Sequence, residues 1–316
     1  MGIPQGAAEL LIREAKARPF SGSVLQLGRS SVYFRRADLE RWAERAAFAL
    51  KPTDLDRRSH DPRLAAQGCL SDVALFEALG FDHVGALDIA DWEGAELIHD
   101  LNTPIPDAVE GTWDVVFETG TTVQIFDLRQ VLANLARLVK VGGRIVHALV
   151  PSHNHVDLGF YMPSPTLYAD FYAANGFDVV ANQLCLLETH WHRGRLMTPR
   201  CDVREYTPGS LDHLSYGRFG SSQLALFVVA QKTAASTYDQ VPQLGQYRQS
   251  WEEFEQQRGA DDAVAGLQEQ WKSTGLAARW ERMLERSPTL DRAWIPVKRW
   301  REKLGRLLPR RWPPRV

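Results

Sequence analysis

The residues able to do chemistry in this 316-residue chain are carboxylates and imidazoles at the ends of apolar runs. Gly28 follows Ser23-Val24-Leu25-Gln26-Leu27, Asp88 lies near the end of Val84–Ile89, Asp100 follows Ala95–His99, and Glu118 closes Trp113–Glu118. Residues 81–128 contain eleven acids and no lysine or arginine. A rim of that kind repels pyrophosphate, which needs donors and positive charge. It accepts hydrogen bonds from hydroxyls and amines and attracts a cationic ligand. A single acid of this type also serves as an exposed loop charge or a helix cap, so the weight rests on the ordered set.

Two histidines, His153 and His155, follow a later apolar run, Arg144–Val150. An imidazole titrates near neutrality and suits a general base. His153 is the first candidate and His155 the second, with the alternative that both hydrogen-bond to backbone. His153-x-His155 and His190-x-His192, with Cys185 or Cys201, also admit a metal reading, because alternate side chains of an extended segment share a face. No Cys/His finger spacing is present, and no metal is expected.

Regular alternation must position these groups. The runs above continue with Phe177–Leu187 and Gln223–Gln231 as strands. Ala7–Ala17 and Ala37–Leu50 have helical spacing, and Ser71 to Gly80 reads as a capped helix with a glycine stop. Leu128–Val139 is apolar at helical period, with Lys140-Val141-Gly142-Gly143 as its basic last turn and stop. Ser164, Pro165 and Gly176 frame another helix. Lys51–Gly68 reads as an exposed loop. Strands alternating with helices predict an α/β fold: a Rossmann-like, seven-stranded, mostly parallel sheet with an antiparallel edge strand. A helical C-terminal extension follows. The expected divisions are an N-terminal helix in 1–22, the α/β domain in 23–232, a linker in 233–246 and a basic helical extension in 247–316.

The net charge of −2 conceals a split. Residues 289–316 carry nine basic residues against two acids, a local +7 that leaves −9 for the rest. The acidic body excludes a globally basic nucleic-acid binder. Trp294, Trp300 and Trp312 interleave with the tail's arginines, as in a helix lying on an anionic membrane surface. A helix packed on the body is the alternative. Three widely spaced cysteines, the lack of an apolar leader in the first twenty residues and the lack of a long apolar run predict a cytoplasmic protein, with peripheral inner-membrane contact through 289–316 as an option.

S-adenosyl-L-methionine matches the acidic rim through its ribose diol, adenine amino group, sulfonium and ammonium. The order VLQLGRSSVYF, GALDIADWEGAELIHDLN, GTWDVVFETGTTVQIFD and LARLVKVGGRIVHALV also resembles the bacterial class I S-adenosylmethionine-dependent methyltransferases. The resemblance covers about residues 23–232, in a subgroup with a long loop after the first strand.

It implies that Gly28 admits the methionine moiety and that Asp88 accepts from the ribose hydroxyls. Asp100 with Leu101 would face the adenine amino edge, and Glu118 with Thr119 and Gly120 would close the pocket beneath the sulfonium. It implies methyl transfer to an oxygen or nitrogen of a small molecule or sugar, with His153 or His155 as base. Two departures mark this chain. Arg29-Ser30-Ser31 follow Gly28 where the family usually has further glycines, and Val123-Gln124 replace a Glu-His pair. They leave a second reading: a catalytically inactive methyltransferase-fold scaffold, associated with a membrane biosynthetic complex.

Overall fold

The computed structural model describes residues 2–91, 93–188, 191–192, 195–196, 200–215, 217–245, 247–248 and 251–252. The chain falls into two compact units, residues 1–248 and 249–316. The basic tail, the histidine pair at 190 and 192 as side chains, and the extension beyond Glu252 lie outside what is described.

In chain order the regular elements are β1 (Gly2–Ile3), α1 (Gln5–Ala17), β2 (Ser23–Leu27), β3 (Ser31–Val32), α2 (Arg36–Arg45), α3 (Pro62–Ala66) and α4 (Asp72–Leu79). They continue with β4 (His83–Asp88), β5 (Leu97–Ile98), β6 (Trp113–Glu118), α5 (Leu128–Leu138), β7 (Val139–His153), α6 (Pro165–Ala174) and β8 (Asp178–Glu188). The last are β9 (Trp191–His192), β10 (Arg195–Leu196), β11 (Arg200–Glu205) and β12 (Gln223–Gln231).

The main sheet has the order β11-β8-β12-β7-β6-β2-β4-β5. Neighbours from β7 through β5 pair in parallel, whereas β12 runs antiparallel to both β7 and β8, and β11 antiparallel to β8. The sheet is thus mostly parallel, as the alternation predicts, but has eight strands rather than seven. One antiparallel strand, β12, is interior, and the added β11 forms the antiparallel edge. Cys201 and Val203 of β11 pack against the core while Asp202 is exposed, the two-residue period of a half-buried edge.

Period-two alternation divides the core between the sheet's two faces. Val24, Val115, Phe117 and Val146 join α1, α2 and α4 in one cluster. Leu25, Val116 and Ile145 join α5 and α6 in the other. Caps fix where the helices start. Ser71 accepts the Ala74 N–H at 3.0 Å, Asp127 accepts that of Gln130 at 3.0 Å, and Ser164 precedes Pro165 at the first helical position.

Three local expectations change. Lys140–Gly143 is not the last helical turn: it opens β7, and the Gly142 N–H donates to Lys232 O at 2.8 Å. A Cβ on Gly143 would lie 2.6 Å from the Asp114 carbonyl, so the glycine serves strand approach rather than helix termination. The stretch 51–68 contains α3, started by Asp61 as cap and Pro62. Part of the segment read as a linker, from Thr233 to Gly245, is tied to α6 and its end. The Thr237 N–H donates to Asn175 O at 2.9 Å and the Gly245 N–H to Asp170 Oδ2 at 2.9 Å.

Candidate ligand site at the carboxyl ends of the strands

β2, β4, β5, β6 and β7 are parallel, so their carboxyl ends open on one side of the sheet, where ligands bind in open α/β folds. β2 delivers Gly28 there with φ +73°, a conformation costly for other residues. Its N–H donates to Leu87 O at 2.7 Å, locking it beside the end of β4. A Cβ on Gly28 would lie 3.4 Å from Asp88 Oδ2. Asp88 Oδ1 accepts the following Ile89 N–H at 2.6 Å. Among the described residues, Oδ2 has no hydrogen-bond partner. An open carboxylate oxygen therefore faces bare backbone, with the exposed Ile89 side chain beside it.

β5 extends the same edge. The His99 N–H donates to Asp88 O at 2.8 Å, and Asp100 and Leu101 follow directly. Asp100 is exposed, and the Asn102 backbone and amide N–H groups hold its carboxyl below the usual value. The Leu101 side chain is buried, and its carbonyl accepts from Asn134 Nδ2 at 3.1 Å.

Glu118 differs from its expected role. Its carboxylate is buried and occupied by the Gly120 N–H at 2.5 Å, the Thr122 hydroxyl at 3.1 Å and His147 Nδ1 at 2.5 Å. His147 Nε2 lies 2.7 Å from the Tyr172 hydroxyl, and the Tyr168 hydroxyl reaches Thr122 Oγ1 at 3.4 Å. Burial, with the Glu118 charge adding to it, raises both phenols well above the usual tyrosine value, so they stay protonated donors. The chain runs from the Glu118 carboxylate, which accepts from His147 Nδ1, through the imidazole to the Tyr172 hydroxyl. Glu118 thus fixes the loop from below. Thr119 and Gly120 are buried on that loop, and Thr121 Oγ1 donates to Leu27 O at 2.8 Å, joining it to the end of β2.

The residues after Gly28 are withdrawn into a second buried network. Arg29 lies on Asp72, with Nε 2.8 Å from Oδ2 and Nη2 3.0 Å from Oδ1. Gln26 Nε2 donates to Asp72 Oδ2 at 2.7 Å while its Oε1 accepts the Ser30 N–H at 3.2 Å. Burial would raise the Asp72 carboxyl, but His60, Arg29 and Gln26 outweigh it and hold it at about 2. Asp72 in turn raises His60, 3.9 Å away.

The two candidate bases occupy different states. Ser152 Oγ lies 2.6 Å from Pro163 O and 3.0 Å from His153 Nδ1. A carbonyl only accepts, so the single hydroxyl proton goes to Pro163, and His153 Nδ1 must donate to Ser152. In the neutral ring this leaves Nε2 as the basic nitrogen, on an exposed side chain at the end of β7. His155 instead donates from Nε2 to Leu224 O at 3.1 Å, and burial lowers its pKa. Among the described residues no cluster of three or more metal-ligating side chains occurs.

Sequence reasoning missed Asp72, His147, Tyr172 and Ser152. Two signals were present: Gln26 and His147 are polar residues inside the apolar runs VLQLG and RIVHALV.

No family model matches the chain, and no curated protein matches it. Among solved structures, it is similar to a SAM-dependent methyltransferase of Thermotoga maritima described as a possible histamine N-methyltransferase. That pair shares 13 % identity over 72 % of this chain and 90 % of that one, with a TM-score of 0.33. The 1,6-didemethyltoxoflavin-N1-methyltransferase of Burkholderia thailandensis, solved with 1,6-didemethyltoxoflavin and S-adenosylhomocysteine, shares 15 % over 72 % and 79 %, with a TM-score of 0.34. The YcgJ protein of Bacillus subtilis shares 12 % over 72 % and 98 %, with a TM-score of 0.38. Such identities speak to fold alone, and the assignment rests on strand order and direction. By that order, the chain has a Rossmann-like α/β fold with a mostly parallel sheet.

Proposed function

We propose that this protein binds S-adenosyl-L-methionine at the carboxyl ends of β2, β4 and β5 and transfers its methyl group to an oxygen or nitrogen of a small molecule. The observation that carries the reading is the Asp88 Oδ2, without a hydrogen-bond partner among the described residues, facing the bare backbone of Gly28. A carboxylate oxygen so placed accepts from a ribose hydroxyl, and the absent Cβ leaves room for the rest of the ligand. Exposed Ile89 offers an apolar face to a flat ring, and Asp100 an acceptor for an amine. Thr119 and Gly120, fixed from below by Glu118, border the same crevice. With Arg29 drawn onto Asp72 and Ser30 buried, the substituted glycine motif does not project these side chains freely into solvent.

When bound, S-adenosylmethionine supplies an activated methyl carbon. The protein's part is to orient an acceptor and take its proton. His153 is assigned the base, because the Ser152 contact leaves its exposed Nε2 basic. His155, donating to a carbonyl, is assigned to holding the segment after β7 against β12.

One observation favours the catalytically inactive reading. The Gln124 amide, where the resemblance would place an acid–base pair, donates to Leu158 O at 3.2 Å and so holds backbone. Calorimetric titration with S-adenosylmethionine and S-adenosylhomocysteine tests the donor site that both readings share. Saturable heat is the expected result, and none at millimolar ligand rejects the site. Binding without turnover by His153-containing protein, on acceptors that bind, would favour the inactive reading.

A further inference from the structure

The carboxyl ends of β6 and β7 carry apolar surface left uncovered by the core. Phe126, Val156, Leu158, Phe160 and Met162 are all exposed, from 38 % for Leu158 to 88 % for Val156. The Phe126 and Phe160 rings meet edge to face, with centroids 5.5 Å apart at 89°. Large exposed apolar groups that cluster, rather than occurring singly, mark binding surfaces.

The backbone beneath them is pinned. Val123 O accepts the Phe160 N–H at 2.8 Å and the Tyr161 N–H at 3.3 Å. The Tyr161 hydroxyl donates to Phe126 O at 2.6 Å. A Cβ on Gly159 would lie 2.6 Å from Val123 O, so only glycine permits this approach. The chain leaves β7 through non-glycine residues with positive φ, Asn154 at 59° and Asp157 at 67°. Strained backbone held in place gathers at sites where geometry matters. This platform is therefore formed before any ligand arrives, which removes much of the ordering cost of binding.

Its position and chemistry restrict the occupant. Phe126 lies two residues past the 3₁₀ turn Thr122–Gln124, which follows Thr121, whose hydroxyl is on Leu27 O, so the platform follows closely on the loop tied to the end of β2. Three of its polar side chains are spent within the protein: Gln124 on Leu158 O, Tyr161 on Phe126 O and Asn154 on Ser222 O. A sugar, which needs many partners for its hydroxyls, finds few here. Asp127 and Asp157 are the only charged residues in 120–127 and 152–163, which disfavours phosphorylated acceptors.

We infer that this is the acceptor face, and that the acceptor is a flat, apolar, neutral or amine-bearing small molecule lying against Phe126 and Phe160. The assignment as acceptor face rests on the donor reading above. Saturation-transfer NMR with 2-naphthol, with D-glucose as comparison, tests it on the full chain. Both phenylalanines are exposed, so the Phe126→Ala/Phe160→Ala protein is expected to fold.

In the wild type 2-naphthol binds and glucose does not. In the double variant naphthol binding falls about tenfold or more while S-adenosylhomocysteine affinity is unchanged. Equal naphthol binding in both proteins, or glucose binding in its place, overturns the inference. So does cosedimentation with phosphatidylcholine vesicles that the double variant abolishes. Failure of S-adenosylhomocysteine to bind while phenylalanine-dependent naphthol binding persists would refute the donor site and its acceptor role, yet keep the ligand class.

Discussion

The loops after β2 and β6 are each held by a buried carboxylate, but the two carboxylates do opposite electrostatic work. Behind β2, Asp72 is charge-paired: Arg29 sits on it and its pKa falls to about 2. Behind β6, Glu118 has among its described partners backbone amides, a hydroxyl and the Nδ1–H of His147. An ion pair is vulnerable to loss of either partner, whereas a carboxylate shared among several donors loses one bond at a time. Between these two loops Asp88 keeps an oxygen with no hydrogen-bond partner among the described residues. The flanking acids build the crevice, and the central one is left to a ligand.

Removing one side of the ion pair is the most damaging way to break this contrast. Asp72→Ala strands a mostly buried guanidinium and is expected to cost about 3–5 kcal/mol in urea unfolding. Replacing both partners, as Asp72→Leu with Arg29→Met, recovers most of it; a double variant no better than Asp72→Ala would refute the pairing.

Acid unfolding separates the networks next. The Asp72 carboxyl is depressed in the folded state from 3.8 to about 2, so the unfolded chain binds its proton more readily. Its stabilising contribution is complete above about pH 4 and is lost as the pH falls towards 2, amounting to about 2 kcal/mol. Unfolding free energies measured across that window should show the loss in wild type and not in the double variant.

The smallest effect belongs to the other network. Tyr172→Phe deletes one hydrogen bond to His147 and is expected to cost about 1 kcal/mol by urea unfolding. A loss as large as that of Asp72→Ala would mean that the β6 loop also hangs on a single contact.

Much of this scaffold was legible in the sequence because local chemistry enforces it. Ser71 and Ser164 mark helix starts through side-chain or proline geometry, and α5 follows its apolar period. Gly142 and Gly143 misled, because a glycine pair after a helical run signals a stop whether it ends the helix or admits a neighbouring strand. The placement of β12 between β7 and β8 depends on pairing between distant residues, which no local pattern encodes.

At the site, Gly28 and Asp88 were legible from their places at strand ends. The inward turn of Glu118 was not, because it depends on His147 and Tyr172, 29 and 54 positions further along the chain. His153 and His155 looked alike as sequence. Only their acceptors, a serine hydroxyl and a main-chain carbonyl, distinguish them.

The central claim is that Asp88, and not its buried neighbours, meets the ligand. Calorimetric affinity for S-adenosylhomocysteine should be compared between wild type and Asp88→Asn, with urea unfolding run on both. The account predicts binding by the wild type, a drop of about tenfold or more in the variant, as for a hydrogen bond to a charged group, and an unchanged unfolding midpoint. Equal affinity in the two proteins would contradict it.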